Sequence, residues 1–152
     1  MADTYSQIYI QIIFAVKGRA NLIPNNKKQE LYKYITGIVT NEQQKLIAIN
    51  GMPDHIHILI GLKPNKSLSD LVRDVKSNSS RFINEKRWTA VKFEWQKGFG
   101  AFSYGHSQLS RVIRYIEQQE EHHHKLTFKE EYSRILELYR ISYNPNHTFK
   151  EN

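Results

Sequence analysis

Apolar residues recur along this chain at two different periods, and the switches between them mark its elements. In Tyr5 to Val16 (YSQIYIQIIFAV), Ile8, Ile10 and Ile12 alternate with Tyr9 and Gln11, the two-residue period of a strand. Over residues 25–44, after the Pro24 boundary, Leu31, Tyr34, Ile35 and Ile38 fall at helical spacing and predict an amphipathic helix. Two strand-like runs follow, Leu46 to Met52 (LIAINGM) and His55 to Leu62 (HIHILIGL). Pro53 and Asp54 between them are hairpin punctuation, so the two runs should pair antiparallel. Ser67 to Asn84 reads as a second helix, with Ser67 as N-cap and Asp70 at the acidic position of a capping box. Its apolar face is Leu68, Leu71, Val72, Val75 and Phe82.

Beyond residue 92 the periods are shorter. Phe93 to Ser103 (FEWQKGFGAFS) is aromatic and broken by glycine, suited to a short irregular strand and a loop. Gln108 to His122 predicts a third helix with Leu109, Val112, Ile113 and Ile116 on one face, and Phe128 to Tyr139 another before a polar tail containing Pro145. The order strand, helix, strand, strand, helix, strand is that of an α+β, ferredoxin-like (RRM-like) split βαβ fold. It implies an antiparallel sheet with helices on one face and the other face open. The expected organisation is one domain over 1–152: a core over 1–104, a helix over 108–124, and a C-terminal helix and tail over 127–152.

Composition narrows the partner. The 22 Lys and Arg against 15 acidic residues give a net charge of +7, which favours a polyanion such as nucleic acid. With no Cys, thiolate metal sites and disulfides are excluded, and a reducing cytoplasm is the natural compartment. The N-terminus lacks a basic leader and no apolar run approaches the ~20 residues of a membrane span. A soluble, cytoplasmic and nucleoid-associated protein of a bacterial or archaeal cell is expected, with no membrane partner.

Two features carry chemistry. His55 and His57, at i and i+2 of one strand, project both imidazoles from the face opposite Ile56, Ile58 and Ile60. Such a pair can ligate one divalent ion if a third ligand arrives from elsewhere, although an H-x-H is by itself a common strand feature. Tyr115 and Gln119, in RYIEQQ, are an i, i+4 pair that a continuous helix stacks on one side, and Tyr115 alone could equally pack at a rim.

Together these pieces resemble the small insertion-sequence transposases with a single catalytic tyrosine, the IS200-like, TnpA-like members of the HUH nucleases. The resemblance runs through FAVKGR, NGMPDHIHILIGL, SLSDLVRDVKSNSSRFIN, WQKGFGAFSYGHSQ, RYIEQQEEHH and TFKEEY, nearly the whole chain in order. It implies His55 and His57 as metal ligands, Gln119 as the third protein ligand, and Tyr115 as the nucleophile. It further implies Mg²⁺ or Mn²⁺ as cofactor, a 5′-phosphotyrosine intermediate on single-stranded DNA, and recognition of hairpins at element ends. A homodimer whose tyrosine helix reaches the other subunit's histidines also belongs to the family. Two imidazoles and an amide carry no negative charge, so the phosphate would supply much of the anionic ligation. The chain departs from the family pattern at Gln11, where relatives often have His, and at FSYG, where FSVS is more usual.

Other residues allow other readings. Arg73, Lys76, Ser77, Ser80 and Asn84, opposite the apolar face of the second helix, could hold phosphates or form a solvated face. Lys86, Arg87, Trp88, Lys92, Phe93 and Trp95 interleave cations with aromatics as single-strand binders do. Candidate DNA contacts are thus Arg73, Lys76, Arg81, Lys86, Arg87 and Lys97. Tyr104 is a rival nucleophile in a glycine-flanked loop, and His122 to His124 read as a solvated helix end. The alternatives in function are a domesticated relative that retains nicking, and a non-enzymatic single-stranded DNA- or RNA-binding module.

Overall fold

Alternation in the central strands decides the architecture, because it gives the sheet two different faces. The computed structural model describes residues 3–123 and 126–139. Its elements are β1 (Tyr9–Ala15), α1 (Lys28–Asn41), β2 (Lys45–Met52), β3 (His55–Gly61), α2 (Leu68–Lys86), β4 (Gly100–Tyr104), α3 (Leu109–Glu117), α4 (Gln119–His123) and α5 (Phe128–Leu138). The four strands form one sheet in the order β2-β3-β1-β4, every neighbouring pair antiparallel. This is the expected ferredoxin-like arrangement.

On one face Ile12 and Phe14 of β1 and Ile56, Ile58 and Ile60 of β3 are buried against α1 and α2. Each such side chain contributes ~1.5–3 kcal/mol through burial. Leu31, Ile35 and Val39 of α1 and Leu71, Val72, Val75 and Ile83 of α2 complete this core. Ser67 caps α2 by accepting from the Asp70 N–H, as its sequence predicts. Tyr34 and Phe82, expected on apolar faces, stack on each other at 4.0 Å between ring centroids, partly buried at the edge of the α1–α2 layer.

Three expectations are corrected. The second sheet face is covered. It carries Ile13 and Ala15 of β1, Leu59 of β3 and Phe102 of β4, apolar groups that require burial, and α3 and α5 supply it. Gly100 makes close approach possible, since a Cβ there would lie 2.6 Å from the Tyr132 hydroxyl of α5. Next, the last strand is shorter than the aromatic run. Phe93 and Trp95 belong to the α1–α2 core, and only a single bridge, Val16 to Trp95, links that segment to the sheet before β4 begins. Tyr104 therefore ends a strand and does not sit in a loop.

The third correction concerns the tyrosine helix, which is broken at Gln118 (φ −98°, ψ 25°) into α3 and α4. A contact from 66 residues away in sequence holds it: the Asn50 amide of β2 donates to the carbonyls of Ile116 (3.0 Å) and Glu117 (3.1 Å). These are the carbonyls a helix end leaves unpaired, so Asn50 stabilises the break. The helix over 128–139 stands as read, begun by a Thr127–Glu130 capping box. The polar tail and its Pro145 lie outside the described residues, as do His124 and the side chains of His122 and His123.

Candidate active site

The covered face contains a polar centre that no single element could build. His55 and His57 project from β3 onto this face, both fully buried, as is Gln119 at the start of α4. Tyr115 of α3 lies with its ring centroid 5.9 Å from that of His57. The fourth contributor is Glu131 of α5, 3 % exposed. Its Oε1 lies 3.2 Å from His57 Nε2 and 3.6 Å from His55 Nε2, while Oε2 accepts hydrogen bonds from the Tyr115 hydroxyl and from Gln119 Nε2. His55, His57 and Glu131 each present one ligand atom, all within 4.8 Å of one another.

Outer contacts fix how the imidazoles face. His55 Nδ1 donates to Asp54 Oδ1 at 2.7 Å, and His57 Nδ1 donates to Gln11 Oε1 at 2.8 Å, whose own Nε2 donates to the Tyr104 hydroxyl at 2.8 Å. Both Nε2 lone pairs are thereby aimed into the centre, the orientation that metal-ligating histidines acquire from such partners. Gln11 thus acquires a definite structural role, orienting His57.

This donor set fits a divalent cation. With protons on both Nδ1 atoms, His55 Nε2 faces Gln119 Oε1 at 3.3 Å and His57 Nε2 faces Glu131 Oε1: acceptor against acceptor. Such confrontations are relieved by protons or by a shared cation. Burial alone would lower the His55 pKa, but its hydrogen bonds to Asp54 and Glu131 outweigh burial and raise it to about 9. Burial first, then the Glu131 charge, pushes the Tyr115 phenol well above its ordinary value, so without a cation it stays protonated. Tyr104 is likewise raised by burial.

The structure thus brings His55, His57, Tyr115 and Gln119 together. Sequence reading missed Glu131, and with it the negative charge of the site. A signal was present: Phe128, Glu131, Tyr132, Ile135 and Leu136 form the inward stripe of α5, so Glu131 is a carboxylate in an apolar position.

The candidate DNA contacts lie elsewhere. Arg73, Lys76, Arg81 and Lys86 are on α2, across the sheet from the histidines. Arg73 pairs with Asp70 and Asp74, and Arg81 donates to Asn78. Lys76 donates to the carbonyls of Gln96 and Gly98, and burial lowers its pKa to about 8. Lys86 lies over the Phe82 ring, and Arg87 is the left-handed C-cap of α2. Lys97, in the segment before β4, lines a small hollow beside Phe128 and Tyr132. Among the described residues no helix is long and apolar enough to cross a membrane.

Comparison with known proteins places this fold and site within a transposase family. The family model described as "Transposase IS200 like" matches residues 4–119, and the chain belongs to that family. It is 23 % identical over 120 residues to the ISDra2 transposase TnpA of Deinococcus radiodurans, covering 74 % of this chain and 84 % of that protein. Among solved structures it resembles a Deinococcus radiodurans R1 transposase, with a TM-score of 0.62 and 21 % identity over 78 % of this chain and 95 % of that one. It also resembles a REP-associated tyrosine transposase bound to a REP hairpin, with a TM-score of 0.58 and 15 % identity, covering 78 % and 70 %. The family match ends at Gln119, so α5 and Glu131 lie beyond it.

Proposed function

We propose that this transposase cleaves and rejoins single-stranded DNA at insertion-sequence ends through a 5′-phosphotyrosine on Tyr115. The observation that carries the reading is the convergence of the Tyr115 hydroxyl, the Glu131 carboxylate and the Nε2 atoms of His55 and His57 in one buried cluster. His55, His57, Gln119 and Glu131 would hold Mg²⁺ or Mn²⁺; when bound, the ion offsets phosphate charge and favours the phenolate.

The chain's residues then have distinct tasks. Tyr115 Oη attacks the scissile phosphorus, the P–O3′ bond breaks, and the DNA leaves with a free 3′-hydroxyl. Glu131, already accepting from the Tyr115 hydroxyl, takes its proton and can return it to the departing 3′-oxygen. Asp54 and Gln11 keep both Nε2 atoms directed inward. Because the phosphoester bond energy is retained, a second 3′-hydroxyl can reverse the step and join new ends without ATP. Hairpin-bearing ends are the expected substrate, in line with the hairpin-bound relative. A homodimer remains compatible, although within a single chain Tyr115 already faces its own His57.

The test is incubation with labelled single-stranded element ends and Mg²⁺, Mn²⁺ or EDTA. A denaturation-resistant adduct that requires metal and is absent in Tyr115→Phe is expected. Equal binding by both proteins with no adduct on such ends would instead favour a binding module.

A further inference from the structure

The buried centre has to be reached by a phosphodiester, and the structure offers an entrance. A cavity of about 420 Å³ opens between α3 and α5, with Tyr115 and Glu131 both in its wall. That volume lies within the ~300–1,000 Å³ of small-ligand sites. Two arginines line the same cavity. Arg111 is four residues before Tyr115 on α3, and Arg134 is three residues after Glu131 on α5. Helical spacing sets each guanidinium one turn from the functional residue of its own helix, on the same side. Both are exposed, and among the described residues neither has an ion-pair partner, unlike Arg73 on α2. The remaining wall is mostly aromatic and aliphatic, with Gln11 and Gln108 as its other polar residues and Tyr104 and Tyr139 at 6.0 Å between ring centroids.

We infer that this cavity is the binding site for the nucleotide adjoining the scissile phosphate, with Arg111 and Arg134 holding backbone phosphates and the tyrosine-lined wall taking the base. The inference rests on the proposed function and adds to it a substrate site on a different set of residues from the α2 cations. Two unpaired cations beside an aromatic wall are the combination that binds single strands without reading sequence. Arginine suits the task because its planar fork meets phosphate oxygens in pairs. The position beside the nucleophile selects a nucleotide over an unrelated small anion, since the cavity opens directly onto Tyr115 and Glu131.

The experiment measures binding of a fluorescein-labelled oligothymidylate of about 15 nucleotides to the full chain in EDTA, by anisotropy across a salt series. Arg111→Ala and Arg134→Ala should each weaken binding by about tenfold and flatten the salt dependence by about one phosphate's worth, with Arg→Lys at either position restoring part of both. Arg73→Ala should leave both unchanged, and an oligomer of abasic sites should bind the wild type more weakly than thymidylate. Mn²⁺ binding by calorimetry and thermal melting should match wild type in the arginine variants, showing that fold and metal donors are intact. Wild-type affinity and salt slope in both alanine variants, or a loss confined to Arg73→Ala, would overturn the inference. Failure of the proposed function is a separate result, namely wild-type protein that forms no adduct on element ends.

Discussion

The two faces of the sheet are made from alternate residues of the same strands and obey different rules. Ile56, Ile58 and Ile60 point to one side and meet α1 and α2 in an apolar core. His55 and His57 point to the other and meet Gln119 and Glu131 brought by α4 and α5. Polar burial is tolerated on the second face because Asp54 and Gln11 accept from the two Nδ1 atoms, while the inward Nε2 atoms and Glu131 are left to a proton or a shared cation. The first face is apolar throughout, whereas the second sets the polar centre among apolar clusters of its own.

The largest effect expected from breaking this division is at Tyr115. Tyr115→Phe should lower adduct formation by at least ~10³-fold while melting stays close to wild type, because only the hydroxyl is removed. On the opposite face, Ile58→Ala should cost ~2–5 kcal/mol in denaturant unfolding, yet the protein that remains folded should still bind Mn²⁺. Glu131→Gln should weaken Mn²⁺ binding by ~10–100-fold in calorimetry without destabilising the metal-free chain. Were it to unfold the chain instead, Glu131 would belong with the core face. Asn50→Ala, which frees the Ile116 and Glu117 carbonyls, should cost ~1–3 kcal/mol and slow adduct formation by shifting Tyr115 relative to Gln119.

The smallest effect concerns Lys76, whose pKa burial lowers from 10.5 to about 8. Between those values the unfolded chain binds more protons, so stability should rise as pH increases from about 8 toward 10.5. Lys76→Met should abolish that rise in a pH series of unfolding curves.

How far the sequence foretold this molecule follows the same division. The core face was readable because its information is local: the alternation of β1 and β3, the helical stripe of α2 and the Ser67 cap are complete within short windows. His55, His57, Tyr115 and Gln119 were picked out by the family resemblance that their motifs carry, since spacing alone left core or rim packing open, and the structure gathers them. The break between α3 and α4 was not, because Gln118 and its neighbours are good helix formers and the carbonyls at the break are met by Asn50, distant in sequence. Cover over the second face was missed because Ile13, Ala15 and Phe102 become one apolar surface only after β1 and β4 pair. Glu131 was obscured by its neighbour: Glu130 serves the capping box, and an adjacent acid in an amphipathic segment looks solvated until the helix is docked.

The two-faced account also predicts where the covalent bond forms. Tyr104 and Tyr115 line the same cavity and both are partly buried, but of the two only Tyr115 contacts Glu131, whereas Tyr104 accepts from Gln11. Peptide mapping by mass spectrometry of protein incubated with a cleavable single-stranded end and Mn²⁺ is the direct measurement. The account predicts a nucleotide adduct on the peptide carrying Tyr115 and none on that carrying Tyr104. An adduct on Tyr104, or one formed equally well in EDTA, would contradict it.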